Sequence, residues 1–576
     1  MVMRCTVSEL IFRYLEAAGT EYIFGVPGLS LEPFLFTCRK YGKVTPILAK
    51  HEEGAAFMAD GYARCKGTLG VCFGTSGPGV TNLISGVATA YTDEIPVVIF
   101  TGGIPTFTNR KGTIQDSTGK GIDSVQLFRP ICKSSSLLVS KYSAQYDIEQ
   151  AMRYALTVKR GPVHLSIPKD IQGEEVEAAA IPSKFTAPAT EYYDRKLVID
   201  AARELVDAES PVILAGSGAM LSGAAGDIRD LAEMLQIPVA TTPRAKGVFP
   251  EDHPLSLGVL GLSGSPLADE TIKSGSVDVL LVIGASLNQI TTFSWDPRIA
   301  PSRCLIHVNI DPTAIGANYH ADIPLVGDAR TVVNEISFRV LRDLDHAQAR
   351  IAARSEKNSR MKKQVGMFLE PEKMDSEAVP IKPQRLMRDL QECLPEDAIL
   401  FSDVGNNLLW TLHYLKMQRP GSYIAPFGLL TMGYATAAAI GGKLAAPDRP
   451  VIASVGDGGF FMNGMEVATA VSYNIPVVWI VHNNAQLGLI HTFQSYTVGE
   501  DTVLTRFHQA DFAGFARALG ANGYVVRRPG ELVEILPEAL SAKKPAVIDC
   551  IIDPAEKPPV GTFVTGAKDY IMRTLL

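Results

Sequence analysis

The sequence predicts an α/β protein of three doubly wound parallel-sheet domains, and three observations carry that expectation. Short β-rich apolar runs alternate with helical stretches almost throughout, a rhythm that calls for parallel sheets covered by helices. Two stretches interrupt it: 172–193 is rich in Ala, Pro and acid, and 343–380 is strongly charged with few aliphatic residues. Both read as linkers, leaving domains over about 1–175, 190–340 and 378–555 and a tail over 556–576. Third, Val87-Ala-Thr-Ala-Tyr-Thr-Asp-Glu-Ile-Pro-Val-Val98 returns as Val467-Ala-Thr-Ala-Val-Ser-Tyr-Asn-Ile-Pro-Val-Val478. One helix end, turn and strand start thus recur in the first and third domains, which implies a shared fold and a site between the two.

Taken in order, the chain opens on a helix with Ser8 as its cap. In the first domain Tyr22–Phe24, Leu69–Phe73 and Val97–Thr101 read as strands, and Glu53–Cys65 and Val80–Thr92 as helices. In the second, the strand Val212–Ala215 runs into Gly216-Ser217-Gly218, either a tight βα turn or an approach to a nucleotide such as FAD. In the third, the strand Val451–Val455 leads through Gly456-Asp457-Gly458-Gly459 to a helix from about Asn463 to Tyr473. The next strand, Val477–Val481, ends at Asn483-Asn484.

The bulk composition excludes several function classes. At 576 residues the chain exceeds one ordinary core. A formal charge of −7 gives no basic excess to neutralise phosphates, so no nucleic-acid partner is expected. No uninterrupted apolar run reaches the 18 or so residues of a membrane span, and Glu9 precedes any apolar stretch that a secretory signal would need. The eight cysteines are scattered without a CxxC pair, which reads as reduced thiols and a cytoplasmic protein.

The strongest chemistry lies between 451 and 486. In a right-handed βαβ unit the carboxyl ends of adjacent parallel strands lie side by side, so Asp457 and Asn484 converge at one sheet edge. A carboxylate from Asp457, an amide oxygen from Asn484 and the backbone carbonyl of Gln486 suit Mg²⁺, which takes oxygen donors and completes its shell with phosphate and water. Gly458 and Gly459 let backbone N–H groups approach a phosphate. No Gly-Lys-Ser/Thr follows, so the loop is not a Walker motif.

This Gly-Asp-Gly followed by Asn-Asn resembles the signature of thiamine-diphosphate-dependent enzymes. The first domain carries a matching segment, His51-Glu52-Glu53-Gly54-Ala55. The resemblance makes Glu52 the acid that activates the cofactor through its pyrimidine ring, while Glu53 reads as a helix-dipole cap. It also implies cofactor contacts from Pro27 and Gly28, from Thr75 and Asn82, and from Gly405 and Asn406. Met432 matches the residue that wedges the cofactor into its bent shape, and Gln115 a glutamine directed at the reacting carbon. His51 is a further candidate beside the intermediates. The three domains become pyrimidine-binding, central and diphosphate-binding, with the active site shared between subunits of a homodimer or homotetramer.

Within that family the chain looks most like the large subunit of acetolactate synthase, including Pro168-Lys169-Asp170, whose lysine lies near the substrate channel. The implied reaction is decarboxylation of a pyruvate-like 2-oxo acid with ligation to an acceptor carbonyl. Two departures bear on the acceptor. The family's Arg-Phe-Asp-Asp-Arg is replaced by Ser286-Leu287-Asn288-Gln289-Ile290, which lacks the cation for a second carboxylate. Phe493 stands where the family has a tryptophan. A non-ligating decarboxylase and an acyl-CoA lyase or decarboxylase of the same family are alternatives. A flavin-dependent oxidase and a non-catalytic cofactor-binding protein are the remaining readings.

Overall fold

Runs of Val, Ile, Leu and Phe too short for helices are bounded by Gly, Pro, Asn and Asp, and each becomes a strand buried between helices. The computed structural model describes residues 3–157, 159–185, 192–499 and 501–560. After β1 (Met3–Thr6), the first sheet holds β2 (Tyr22–Gly25), β3 (Thr45–Leu48), β4 (Gly70–Gly74), β5 (Val97–Gly103), β6 (Ser134–Leu137) and β7 (Val163–Pro168). Then β8 (Glu175–Ala178) precedes the second sheet: β9 (Val212–Ala215), β10 (Val239–Thr241), β11 (Ser256–Val259), β12 (Val279–Ile283), β13 (Cys304–Asn309) and β14 (Ile323–Val326). The third holds β15 (Ile399–Ser402), β16 (Tyr423–Ile424), β17 (Val451–Gly456), β18 (Val478–Asn483), β19 (Asn522–Val526) and β20 (Ala546–Ile551).

All three six-stranded sheets are parallel, as the alternating pattern predicts. The first runs β3-β2-β4-β5-β7-β6 and the third β16-β15-β17-β18-β20-β19, the same order by position. The repeated segment falls at equivalent places, leading into β5 and β18. The middle sheet, β11-β10-β9-β12-β13-β14, has the other doubly wound order. In the first and third sheets the order reverses beside β2/β4 and β15/β17, where the carboxyl ends open a crevice.

The first and third domains meet along two helices, Glu52–Lys66 and Tyr434–Ala445. Each brings a glycine to the other's backbone: a Cβ at Gly61 would stand 2.1 Å from Ala438 O, and one at Gly441 1.9 Å from Met58 O. Alongside, Arg64 pairs with Asp60 at 2.6 Å and Asp93 at 2.7 Å, the Tyr434 hydroxyl donates to Asp60, and Arg244 of the central domain reaches Asp93 at 2.7 Å. One buried ion network therefore ties all three domains.

Several local expectations are corrected. The opening helix, Val7–Ala17, is capped by Thr6, whose hydroxyl accepts the Glu9 N–H, while Ser8 donates to Gln172 O. The stretch 80–92 divides at Leu83 into Pro78–Asn82 and Ile84–Thr92. The supposed linker 172–193 contains β8, which pairs antiparallel with β1, because Val176 and Ala178 alternate inward against the acids. The charged stretch 343–380 is largely the second half of one 36-residue helix, Ala329–Gln364. Its Arg354 is 3% exposed and donates to the carbonyls of Leu205, Val206, Ala208 and Leu235. These carbonyls end two central-domain helices, where a cation satisfies orphan acceptors. Tail residues 561–576 lie outside the described residues.

Candidate active site

The carboxyl ends of β17 and β18 bring Asp457 and Asn484 together, as the spacing predicts. Asp457 Oδ2 accepts the backbone N–H of Asn484 at 3.0 Å and of Ala485 at 2.7 Å, and Oδ1 accepts Gly458 N at 2.7 Å. Burial pushes its carboxyl up to about 6, and these amides, with that of Gln486, pull the other way. The expected helix is present as Val467–Tyr473, and an additional helix precedes it, beginning at Asp457 itself and running to Asn463. Gly458 and Gly459 are thus first-turn residues, whose N–H groups lack partners within the helix. The Gln486 side chain donates to Pro554 O at 2.7 Å, so its backbone is what lies beside Asp457.

Asn406 and Met432 join this edge. Asn406 Nδ2 and Asn484 Nδ2 stand 2.5 and 3.1 Å from where a Cβ of Gly488 would be. Asn406 Oδ1 is buried with no hydrogen-bond partner among the described residues. Gly405, at φ +141, turns the chain into the helix that Asn406 begins. Met432 Cε stands 3.4 Å from where a Cβ of Gly458 would be, so the thioether covers the loop carrying Asp457.

The first domain gathers a second half-site. Glu52, 7% exposed, starts the helix after β3, and Asn82 Nδ2 donates to its Oε2 at 3.0 Å. Gly79 lies against the other oxygen, 3.3 Å from Glu52 Oε1 to the Cβ position. Gly28 packs directly on Thr75, and Thr75 Oγ1 lies 2.9 Å from Ser30 Oγ. Pro27 is exposed on the same turn. The Gln115 side chain rests on Gly77, 3.0 Å from its Cβ position. His51 serves locally as the helix cap, its Nδ1 accepting the Glu53 N–H at 3.2 Å. Lys169 forms an ion pair with Glu32 at 2.7 Å.

Two further buried carboxylates stand at the site: Glu466, which the sequence does not single out, and Asp403, which opens the Asp403-Val-Gly405-Asn406 stretch expected to contact the diphosphate. Glu466 accepts the backbone N–H groups of Lys50 and His51 at 3.0 and 3.1 Å, across the domain boundary and immediately before Glu52. Burial raises its carboxyl. Asp403, fully buried after β15, accepts Gly433 N at 2.9 Å and Ala435 N at 3.1 Å, and burial pushes it up to about 7. Glu53 reaches across too, accepting from Asn463 Nδ2 at 3.3 Å.

In the central domain, Gly216 N donates to Ile283 O and Gly218 N to Gly284 O, which closes the turn on the neighbouring strand end. These bonds form the tight βα turn that the sequence predicts as one of its two readings. Asn288 Oδ1 accepts Thr291 N, and Ile290 packs with Leu262, Leu409, Leu489 and Val560.

The donor set fits a hard divalent cation with a diphosphate: one carboxylate, one side-chain amide, a nearby backbone and first-turn N–H groups. The opposed half-site supplies one buried acid positioned by an amide, which suits a nitrogen heterocycle. Family comparison agrees. Residues 5–126 match the N-terminal TPP binding domain of thiamine pyrophosphate enzymes, 198–336 the central domain and 403–550 the C-terminal TPP binding domain. A probable acetolactate synthase large subunit of Methanocaldococcus jannaschii is 39% identical, covering 96% of this chain and 93% of the relative. One from Methanococcus aeolicus is 36% identical, covering 98% and 95%. The acetolactate synthase isozyme 3 large subunit of Escherichia coli is 31% identical over 95% of each chain. The chain therefore belongs to the thiamine pyrophosphate enzymes, in the family of acetolactate synthase large subunits.

Proposed function

We propose that the protein decarboxylates a pyruvate-like 2-oxo acid and joins the remaining acyl unit to an uncharged carbonyl acceptor. The observation that carries the reading is the convergence of Asp457 on the backbone of Asn484 and Ala485. Asp457, the Asn484 amide oxygen and the Gln486 carbonyl would hold Mg²⁺, and Gly458, Gly459, Gly405 and Asn406 would bind the diphosphate. When bound, thiamine diphosphate supplies the electron sink for CO₂ loss. Glu52, fixed by Asn82, would hold a proton at a ring nitrogen of the cofactor, and Met432, beside Gly458, would pack against it. Gln115 orients the substrate at the reacting carbon.

Glu52 and Asn82 belong to the first domain and Asp457, Asn484 and Met432 to the third, and a second copy of the chain would bring the two sets together. Apolar side chains stand exposed beside them: Leu429, Leu430, Phe461, Met462 and Met465 near the metal loop, and Leu29, Leu48 and Ile114 near the Glu52 side. Such a concentration of exposed apolar surface marks an interface. A homodimer, alone or paired into a tetramer, covers it.

The apolar cluster around Ile290 supports the uncharged acceptor, since a second carboxylate would be desolvated there without a guanidinium partner. The test is product identification with pyruvate, Mg²⁺ and thiamine diphosphate, offering aldehyde, 2-oxo acid and acyl-CoA partners. A ligated aldehyde product is expected. Exclusive ligation to a second 2-oxo acid overturns the acceptor assignment, and absence of CO₂ release overturns the reaction.

A further inference from the structure

We infer that Asp403 is a positioning residue that registers the wedge loop of Met432 against the phosphate loop of Gly458-Gly459. The inference rests on the cofactor reading above. Asp403 touches three turns at once. It immediately precedes Val404-Gly405-Asn406, its oxygens accept Gly433 N and Ala435 N, and a Cβ at Gly459 would stand only 2.0 Å from Oδ2. Its main chain is held as well: Asn407 Nδ2 donates to Asp403 O at 2.7 Å, and Asp403 N donates to Ser454 O at 2.9 Å.

Helix Tyr434–Ala445 is capped by Gly433, at φ +78, which has no side chain to accept the first-turn amides. A carboxylate from another strand performs that task, at the cost of burying a charge whose hydrogen bonds are to backbone N–H groups. A serine or aspartate at the cap would satisfy the helix more simply. What the borrowed carboxylate adds is register: the residue after Met432 is bonded to the strand that opens onto Gly405, and both are pressed on Gly459. Met432 then faces Gly458 at the distance already given.

The test compares two probes that read different parts of this arrangement. Inorganic diphosphate with Mg²⁺ reads the phosphate loop alone, and thiamine diphosphate with Mg²⁺ reads the loop and the wedge together. Titration calorimetry on the full-length protein is expected to show Asp403→Asn weakening thiamine diphosphate by about 100-fold, with inorganic diphosphate within about threefold of the parent protein. Asp403→Glu keeps the charge but displaces it by one methylene. It is expected to lose about tenfold on thiamine diphosphate alone, and it tests the inference should the Asn variant not fold. Equal losses on both probes, or none on thiamine diphosphate, overturn the positioning role. Failure of the parent protein to bind thiamine diphosphate overturns the cofactor reading itself.

Discussion

Strand for strand the first and third domains match, yet their carboxyl edges carry different chemistry. At β2/β4 the edge presents Gly28 and Thr75, flanked by Glu52 and Asn82. At β15/β17 it presents Gly405 and Asn406 with the carboxylate of Asp457 and the amide of Asn484. The equivalent helices Glu52–Lys66 and Tyr434–Ala445 even cross with reciprocal glycines. One begins with the acid, the other directly after Met432-Gly433. Duplicating a switch point therefore duplicates a place to bind, and the residues at the strand ends and helix starts decide what is bound. On the proposed reading, one edge would serve a proton at a ring nitrogen and the other a cation with a diphosphate.

The comparison breaks most severely at Asp457. Asp457→Asn is expected to abolish Mg²⁺-dependent cofactor binding and with it at least about 1000-fold of turnover. Retained cofactor affinity in calorimetry would remove the metal role from the third domain. Glu52→Gln separates the two edges: cofactor affinity should stay within a few-fold while kcat falls by about 100- to 10,000-fold. A parallel loss of affinity would mean that Glu52 binds rather than activates.

The helix crossing sharpens the comparison. Gly61→Ala and Gly441→Ala each force a methyl into a carbonyl and should cost a similar amount, about 3 kcal/mol or more, read as matched falls in Tm. Unequal losses would show that the crossing is not symmetric. The smallest effect is pH dependence at Asp457. Its carboxyl is raised to about 6, so in the free protein it contributes stability that declines as pH rises from the ordinary carboxylate range through about 6. Mg²⁺ requires the carboxylate, so affinity should fall about tenfold per unit below pH 6 and level off above it. Affinity flat down to pH 5 would contradict this, as would Asp457→Asn retaining the slope.

Much of this arrangement is legible from residues close in sequence. Asp457 and Asn484 lie at the ends of adjacent parallel strands joined by a helical crossover, and βαβ handedness alone brings them together. Glu52 is readable because His51-Glu52-Glu53-Gly54-Ala55 resembles the family segment, since a Glu at a helix start alone reads as a dipole cap. Glu466 leaves no such trace, and Asp403 is legible only as the start of the Asp403-Val-Gly405-Asn406 stretch, without the task of its side chain. Glu466 accepts amides from residues 415 and more positions away, and Asp403 serves a helix 30 positions on, so neither contact forms a local motif. The helix Ala329–Gln364 was obscured for a different reason. Composition reports exposure, and a long solvent-facing helix is as rich in charge as a linker, while Arg354, its buried anchor, has the residue type least expected inside. The helix Asp457–Asn463 was missed because its two glycines read as a turn, although they occupy the first helical positions.

The claim that two half-sites become one active site across two copies is tested most directly by mixing inactive variants. Glu52→Gln and Asp457→Asn chains, co-refolded in equal amounts, form mixed dimers in which one site receives both intact residues. About a quarter of parental activity is predicted, since half the dimers are mixed and each has one working site of two. A mixture no more active than either variant alone would contradict the shared site and place Glu52 and Asp457 in service of a site within one chain.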